Sequence, residues 1–223
     1  MTEEDLQLNV KMYEVYSRLK RDILNGKYKP GETIVASQLA KDLGVSRNTL
    51  RVALSFLEKD GLIIVENSKF KVRKLTLEET VEILDIRELL EGYTARIAAQ
   101  RITEEELKKL EDILNKMRES LEKRDYDSYT RLNDEFHITI YNASRTKIAS
   151  QLLSEIKMRI LRYQYRTILL PARGDESIKE HEAIYNALKS HSPDQAETEA
   201  KRHVSKVREA IILNKRFLDL DFS

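Results

Sequence analysis

The run Gln38-Leu39-Ala40-Lys41-Asp42-Leu43-Gly44-Val45-Ser46-Arg47-Asn48-Thr49-Leu50-Arg51-Val52-Ala53-Leu54 decides the fold of the first third of this chain. Ahead of Gly44, the residues Val35, Leu39, Ala40 and Leu43 fall on one side of a short helix. Behind it, Leu50, Ala53, Leu54 and Leu57 make the buried stripe of a second helix, which Asp60-Gly61 ends. Only Gly44, Val45 and Ser46 lie between the two, and Ser46 is placed to cap the second by accepting a bond from an N–H of its first turn. Two short helices joined by so short a turn are a helix-turn-helix. At about 100° per residue, Arg47, Asn48, Arg51 and Ser55 share an arc facing away from the leucines. A helix of this kind enters the major groove with its N-terminal residues against base edges. Arginine suits guanine because its fork makes two parallel bonds to O6 and N7, and Asn48 and Thr49 are candidates for bases or phosphates.

Working outward, Met12, Tyr16, Leu19 and Ile23 recur at helical spacing before Gly26, and Pro30-Gly31 offers a tight turn. On the other side, Leu62-Ile63-Ile64-Val65, the polar Glu66-Asn67-Ser68-Lys69 and then Phe70-Lys71-Val72 read as strand, turn and strand. That hairpin is a wing, with Lys69 and Lys71 placed for phosphates. Spacing alone also describes a small helical domain with solvated arginines; the complete order of elements favours a DNA reader.

The charge distribution agrees. Through Lys74 there are 14 Lys or Arg against 10 Asp or Glu, whereas the whole chain of 223 residues carries only +1. A basic head on a slightly acidic body fits a DNA-binding domain joined to a sensing or assembly domain. Apolar residues make up 41%, enough for real cores. With no cysteine, a disulfide framework and a thiolate metal site are both excluded. The acidic start Thr2-Glu3-Glu4-Asp5 is unlike a secretory leader, and no apolar run approaches a membrane span, so a cytoplasmic protein is expected.

The words Lys29-Pro30-Gly31-Glu32-Thr33-Ile34, Gln38 through Arg47, Leu50-Arg51-Val52-Ala53-Leu54, Leu57 and Asp60-Gly61-Leu62 resemble the GntR family of transcriptional regulators. The resemblance implies DNA contacts by Arg47 and Arg51, with Asn48 and Thr49 beside them. Two departures stand out. Ser37 lies where the family often has an arginine, which removes one expected phosphate contact. The wing tip is Asn67-Ser68 where the family usually has glycine; Asn67 tolerates positive φ, so the turn remains feasible, and whether the wing touches DNA stays open.

From residue 76 onward the chain reads as helical throughout, with helices predicted near 78–101, 103–123, 125–143, 145–169, 175–190 and 194–217 and breaks at Pro171, Gly174 and Ser192-Pro193-Asp194. The fold class is therefore mainly α: a winged helix-turn-helix over 1–75 with a small β-hairpin wing, and an all-α six-helix bundle over 76–223. Three of these helices each turn a histidine toward the interior. His137 shares a face with Asn133 beside Leu132, Phe136 and Ile140; His181 runs with Ile178, Ile184, Tyr185 and Leu188; His203 runs with Ala196, Ala200, Val207 and Ile211. A single inward histidine is usually a satisfied core residue. Three of them with a side-chain oxygen suit a first-row divalent ion, although spacing does not say that the three faces converge.

Ile86-Arg87-Glu88-Leu89-Leu90-Glu91, Asn133-Asp134-Glu135-Phe136-His137, Glu180-His181-Glu182-Ala183-Ile184 and Arg202-His203 are similar to the FadR-type C-terminal domain (FCD), the helical effector domain of one GntR branch. The resemblance implies a metal held by Asn133, His137, His181 and His203, with zinc or nickel first and manganese next; Asn in place of Asp weakens the set, because the amide oxygen is neutral. It also implies a small organic acid as effector, with Arg87 either clamping its carboxylate or pairing with Glu91 one turn on. Arg159, Arg162, Tyr163, Tyr165 and Arg166 form a further cluster, either dimer surface or pocket wall. The expectation is a homodimeric repressor, not an enzyme, gripping a palindromic operator. The rivals are a metal-free dimerisation module with structural histidines and a metal-dependent enzyme, which would leave the DNA-reading head unexplained. An acyl tunnel suits these inward histidines poorly.

Overall fold

The computed structural model describes residues 3–24 and 26–218, and side chains from residue 10 onward apart from 161, 162, 164 and 165. It divides into two compact units, Met1–Leu75 and Thr76–Ser223.

In the first unit, α1 (Glu3–Leu24) packs on α3 (Arg47–Lys59), which also meets α2 (Ala36–Asp42). Val15, Leu19 and Ile23 of α1 and Leu50, Ala53, Leu54 and Leu57 of α3 are all buried, as the helical period requires. Ser46 caps α3 by accepting from the Thr49 N–H at 3.0 Å. Gly44 takes φ +63°, a left-handed turn that glycine makes without steric cost. The wing is β2 (Ile63–Glu66) against β3 (Lys69–Val72), antiparallel, with Glu66 opposite Lys69. Asn67 at φ 50° and Ser68 at φ 60° both take the positive values of a two-residue turn matched to strand twist.

The sheet holds one strand more than the hairpin. β1 (Thr33–Ile34) pairs with β3, giving the order β1-β3-β2. This corrects the reading of Val35: it is the N-cap of α2 and more than half exposed, while Ile34 on β1 carries the burial. Two residues of strand are too few to show a period of two, and only the pairing partner creates the element.

Among its described residues the second unit has six helices: α4 (Leu77–Arg101), α5 (Glu104–Glu122), α6 (Tyr126–Ser144), α7 (Lys147–Thr167), α8 (Arg173–Lys189) and α9 (Pro193–Leu213). No strand occurs among its described residues. Thr76 with Glu79 and Thr103 with Glu106 close reciprocal capping boxes at the starts of α4 and α5. Pro193 opens α9, where its missing N–H costs nothing. Gly174 does not break the chain: α8 begins at Arg173, so the glycine lies inside its first turn.

α4 packs against α6, α7, α8 and α9 and is the centre of the bundle. Alanines 95, 98 and 99 let neighbours approach one end, where they join Phe136, Ile140, Ile184 and Leu188 in the apolar core. The other half of α4 buries Arg87 and Glu91 instead. That polar stretch positions the site.

Candidate functional site

On α3 the side chains of Arg47, Asn48 and Arg51 are exposed along one arc, opposite the fully buried leucines. Thr49 departs from the expectation. It is only 4% exposed, and its hydroxyl lies 2.7 Å from that of Ser46, so it stabilises the turn rather than facing outward. Lys69 is exposed at the wing, whereas Lys71 is tied to Glu66 across the hairpin. The solvent face of α3 thus carries two guanidinium groups and one amide, a donor set matched to phosphate and to base edges.

In the helical unit the three histidines converge. One nitrogen of each of His137 (α6), His181 (α8) and His203 (α9) lies within 4.8 Å of those of the others, and all three rings are buried. Each Nδ1 has an oxygen beside it. Glu91 Oε2 lies 3.2 Å from His137 Nδ1, Glu180 Oε2 2.7 Å from His203 Nδ1, and Ser177 Oγ 3.4 Å from His181 Nδ1. A carboxylate accepting from Nδ1–H places the lone pair on Nε2, the arrangement that orients imidazoles for a metal.

Burial pushes His181 and His203 well below the ordinary imidazole value, helped at His181 by His203 and His137 and at His203 by His137. Burial also lowers His137, with Glu91 opposing it. Neutral rings are the form that donates to a cation. His181 Nε2 faces His137 Nε2 at 3.3 Å, so either a proton on one ring or a cation between them must relieve the facing lone pairs. The donor set therefore suits a first-row divalent ion. Asn133 stands one turn before His137 on α6 and is half-buried.

Behind the imidazoles lies a charged layer. Arg87 Nε donates to Glu91 Oε1, and the Tyr141 hydroxyl donates to the same oxygen at 2.9 Å. Burial alone would raise the Glu91 carboxyl, yet Arg87, His137 and Lys157 hold it well below the usual carboxylate range. Arg87 thus makes the ion pair with Glu91, while its Nη1 and Nη2 are buried without a hydrogen-bond partner. Arg173 grips Glu180 through Nη1 at 3.2 Å and Nη2 at 2.9 Å, bracing the carboxylate that holds His203.

Glu180, Ser177, Tyr141, Lys157 and Arg173 were not among the residues singled out from sequence. The spacing of Arg173 and Glu180, two helical turns apart, is the one local pattern that points to any of them. Of the arginine–tyrosine cluster on α7, Tyr163 is buried and Arg159 exposed; the side chains of Arg162 and Tyr165 lie outside the described residues.

Residues 82–206 match the FCD domain, and residues 11–70 match the bacterial regulatory proteins of the gntR family. The chain is 33% identical over 198 residues to the HTH-type transcriptional regulator YdhC of Bacillus subtilis (strain 168), covering 86% of this chain and 84% of that protein. It is 25% identical over 199 residues to the HTH-type transcriptional repressor RspR of Escherichia coli (strain K12), covering 89% and 87%. Among solved structures, E. coli McbR/YncC superimposes with a TM-score of 0.77 at 26% identity, over 93% of this chain and 98% of that one.

Proposed function

The chain belongs to the GntR family, in the branch that carries an FCD domain, and on that premise we propose that a small carboxylate bound at a metal in the helical domain sets its affinity for operator DNA. It is a DNA-binding transcriptional regulator and not an enzyme, as its relatives are. Residues 1–75 are the DNA-binding domain and 76–223 the effector and dimerisation domain of this proposal.

At the DNA, Arg47, Asn48 and Arg51 read the major groove and Lys69 meets a phosphate. Thr49 holds the turn that presents them. At the effector site, His137, His181 and His203 with Asn133 hold a divalent ion, zinc or nickel ahead of manganese. When bound, the ion supplies a Lewis-acid point for a carboxylate oxygen. Arg87 keeps its pair with Glu91 and offers its two remaining amino groups to the acid. An effector changes DNA affinity only by binding the DNA-competent and free arrangements unequally, so release from the operator requires tighter binding to the latter.

We propose a homodimer on a palindromic operator, in the cytoplasm. Ile86, Leu89 and Tyr93 form an exposed apolar stripe at helical spacing on α4, with Leu89 66% exposed, and such a stripe suits a second copy. No helix among the described residues is long and apolar enough to cross a membrane.

The observation that carries the effector reading is the convergence of three buried imidazoles, each with its Nδ1 against an oxygen. Elemental analysis of gently purified, tag-free protein tests it, with a His137→Ala variant alongside. About one divalent ion per chain is expected in the parent and none in the variant. A parent that stays metal-free after reconstitution with zinc, nickel and manganese overturns the metal site and leaves a DNA-binding regulator with structural histidines.

A further inference from the structure

Three buried cations lie in the layer around the histidines with polar atoms unspent: Arg87, Lys157 and Arg173, the last through Nε alone, its other two nitrogens being held by Glu180. Arg87 leaves Nη1 and Nη2 without a hydrogen-bond partner, and so does Nζ of Lys157 on α7. Lys157 is 7% exposed and lies 3.1 Å from Asp134 Oδ1, an ion-pair contact that lacks hydrogen-bond geometry. Arg87 and Lys157 are both tied to Tyr141: its hydroxyl shares Glu91 Oε1 with Arg87, and Lys157 Nζ sits 5.8 Å from its ring centre. Asp134 is the sequence neighbour of Asn133, so Lys157 abuts the α6 turn that leads to His137.

Charge sharpens the point. Arg87 and Glu91 from α4, Asp134 from α6, Lys157 from α7, and Arg173 and Glu180 from α8 form three opposed pairs that cancel. An imidazole that ligates a metal through a ring lone pair is neutral and adds no charge of its own. A divalent ion therefore adds two positive charges that no side chain of this layer offsets. A single carboxylate neutralises one and leaves the other buried, which is costly in a site closed to water. Two anionic groups on one small molecule balance both, and the unspent donors of Arg87 and Lys157 give the second group a partner of its own.

We infer that the effector is a small dianion of the short-dicarboxylate class, and that Lys157, with Arg87, is the determinant that selects it over monoacids. This rests on the metal-and-carboxylate reading above and adds a ligand class and a residue to it.

The experiment is calorimetric titration of the full-length, metal-loaded protein with matched acids: acetate against malonate, propionate against succinate, lactate against malate. At least one diacid is expected to bind tighter than its monoacid by about tenfold or more. In Lys157→Met that preference, read as the ratio of diacid to monoacid affinity within the same metal-loaded variant, falls to within about twofold; Lys157→Arg keeps the preference. The parent's own comparison of mono- and diacids needs no variant, so poor folding of Lys157→Met leaves the inference falsifiable. A metal-loaded parent that binds both classes equally, or neither, overturns it, as does a preference that survives in Lys157→Met. A parent that takes up no metal fails at the earlier elemental analysis, which separates failure of the underlying reading from failure of this one.

Discussion

The two candidate sites of this chain handle polar groups in opposite ways. On α3, Arg47, Asn48 and Arg51 stand in water above a stripe of buried leucines that packs the helix onto its unit. In the helical unit, Arg87, Glu91, Lys157 and three imidazoles are taken out of water together, each braced by another. Exposed charges cost the fold little and are free for a partner that arrives with its own charges. Buried ones are held only by mutual pairing, so function and stability are coupled there and separable on α3.

The strongest way to break that contrast is Glu91→Gln. It leaves the Arg87 guanidinium without its counter-charge and removes the anion on His137 Nδ1. A loss of about 3–5 kcal/mol of unfolding free energy is expected in urea denaturation. A loss below about 1 kcal/mol would mean that water reaches these charges as freely as it reaches those on α3.

Acid should separate the two sites next. The three imidazoles are lowered by burial, hence neutral in the fold, and in the unfolded chain they protonate below about pH 6.5. The unfolded chain then binds more protons. The stability these rings contribute is complete above that value and is lost as the pH falls toward their folded values, by up to about 1.4 kcal/mol per pH unit for each ring. Glu91, also lowered, adds loss in the same direction below about pH 4.3. Chelator-treated protein melted from pH 7.5 to 5 reads the effect, and a flat profile above pH 5 would contradict neutral, buried rings.

The exposed site should show the reverse pattern. Arg51→Ala is expected to weaken operator binding by about 1–3 kcal/mol and to relax specificity at one base pair, with the melting temperature unchanged. Lys69→Ala, the smallest effect, should weaken all sequences alike and flatten the salt dependence by about one ion. Gel-shift titrations across a salt series, beside thermal melts, distinguish the two. A variant of either residue that unfolds the domain would place it in the core that α3 buries.

Legibility follows the same division. The exposure of Arg47, Asn48 and Arg51 could be read from sequence because exclusion from an apolar stripe is a local property of one helix, and Ser46 caps its own next turn. The one miss there, Thr49, came from the hydroxyl bond that turns its side chain inward. The histidines were legible as inward-facing for the same reason, each lying in the apolar stripe of its own helix. Their partners were not. Glu180 precedes His181 yet serves His203 on the next helix, and Lys157 meets Asp134 across two helices; no spacing within one segment encodes either contact.

By itself, then, the sequence determined the helices, their caps, the wing turn and the inward turn of His137, His181 and His203, since each depends on residues within a turn or two of one another. Tertiary structure decided the two-residue strand β1, the meeting of the three rings, and the assignment of each carboxylate to its imidazole or cation. Those outcomes depend on which helix faces arrive at the same place, and burial makes that arrival stable only when every charge brought in finds its partner.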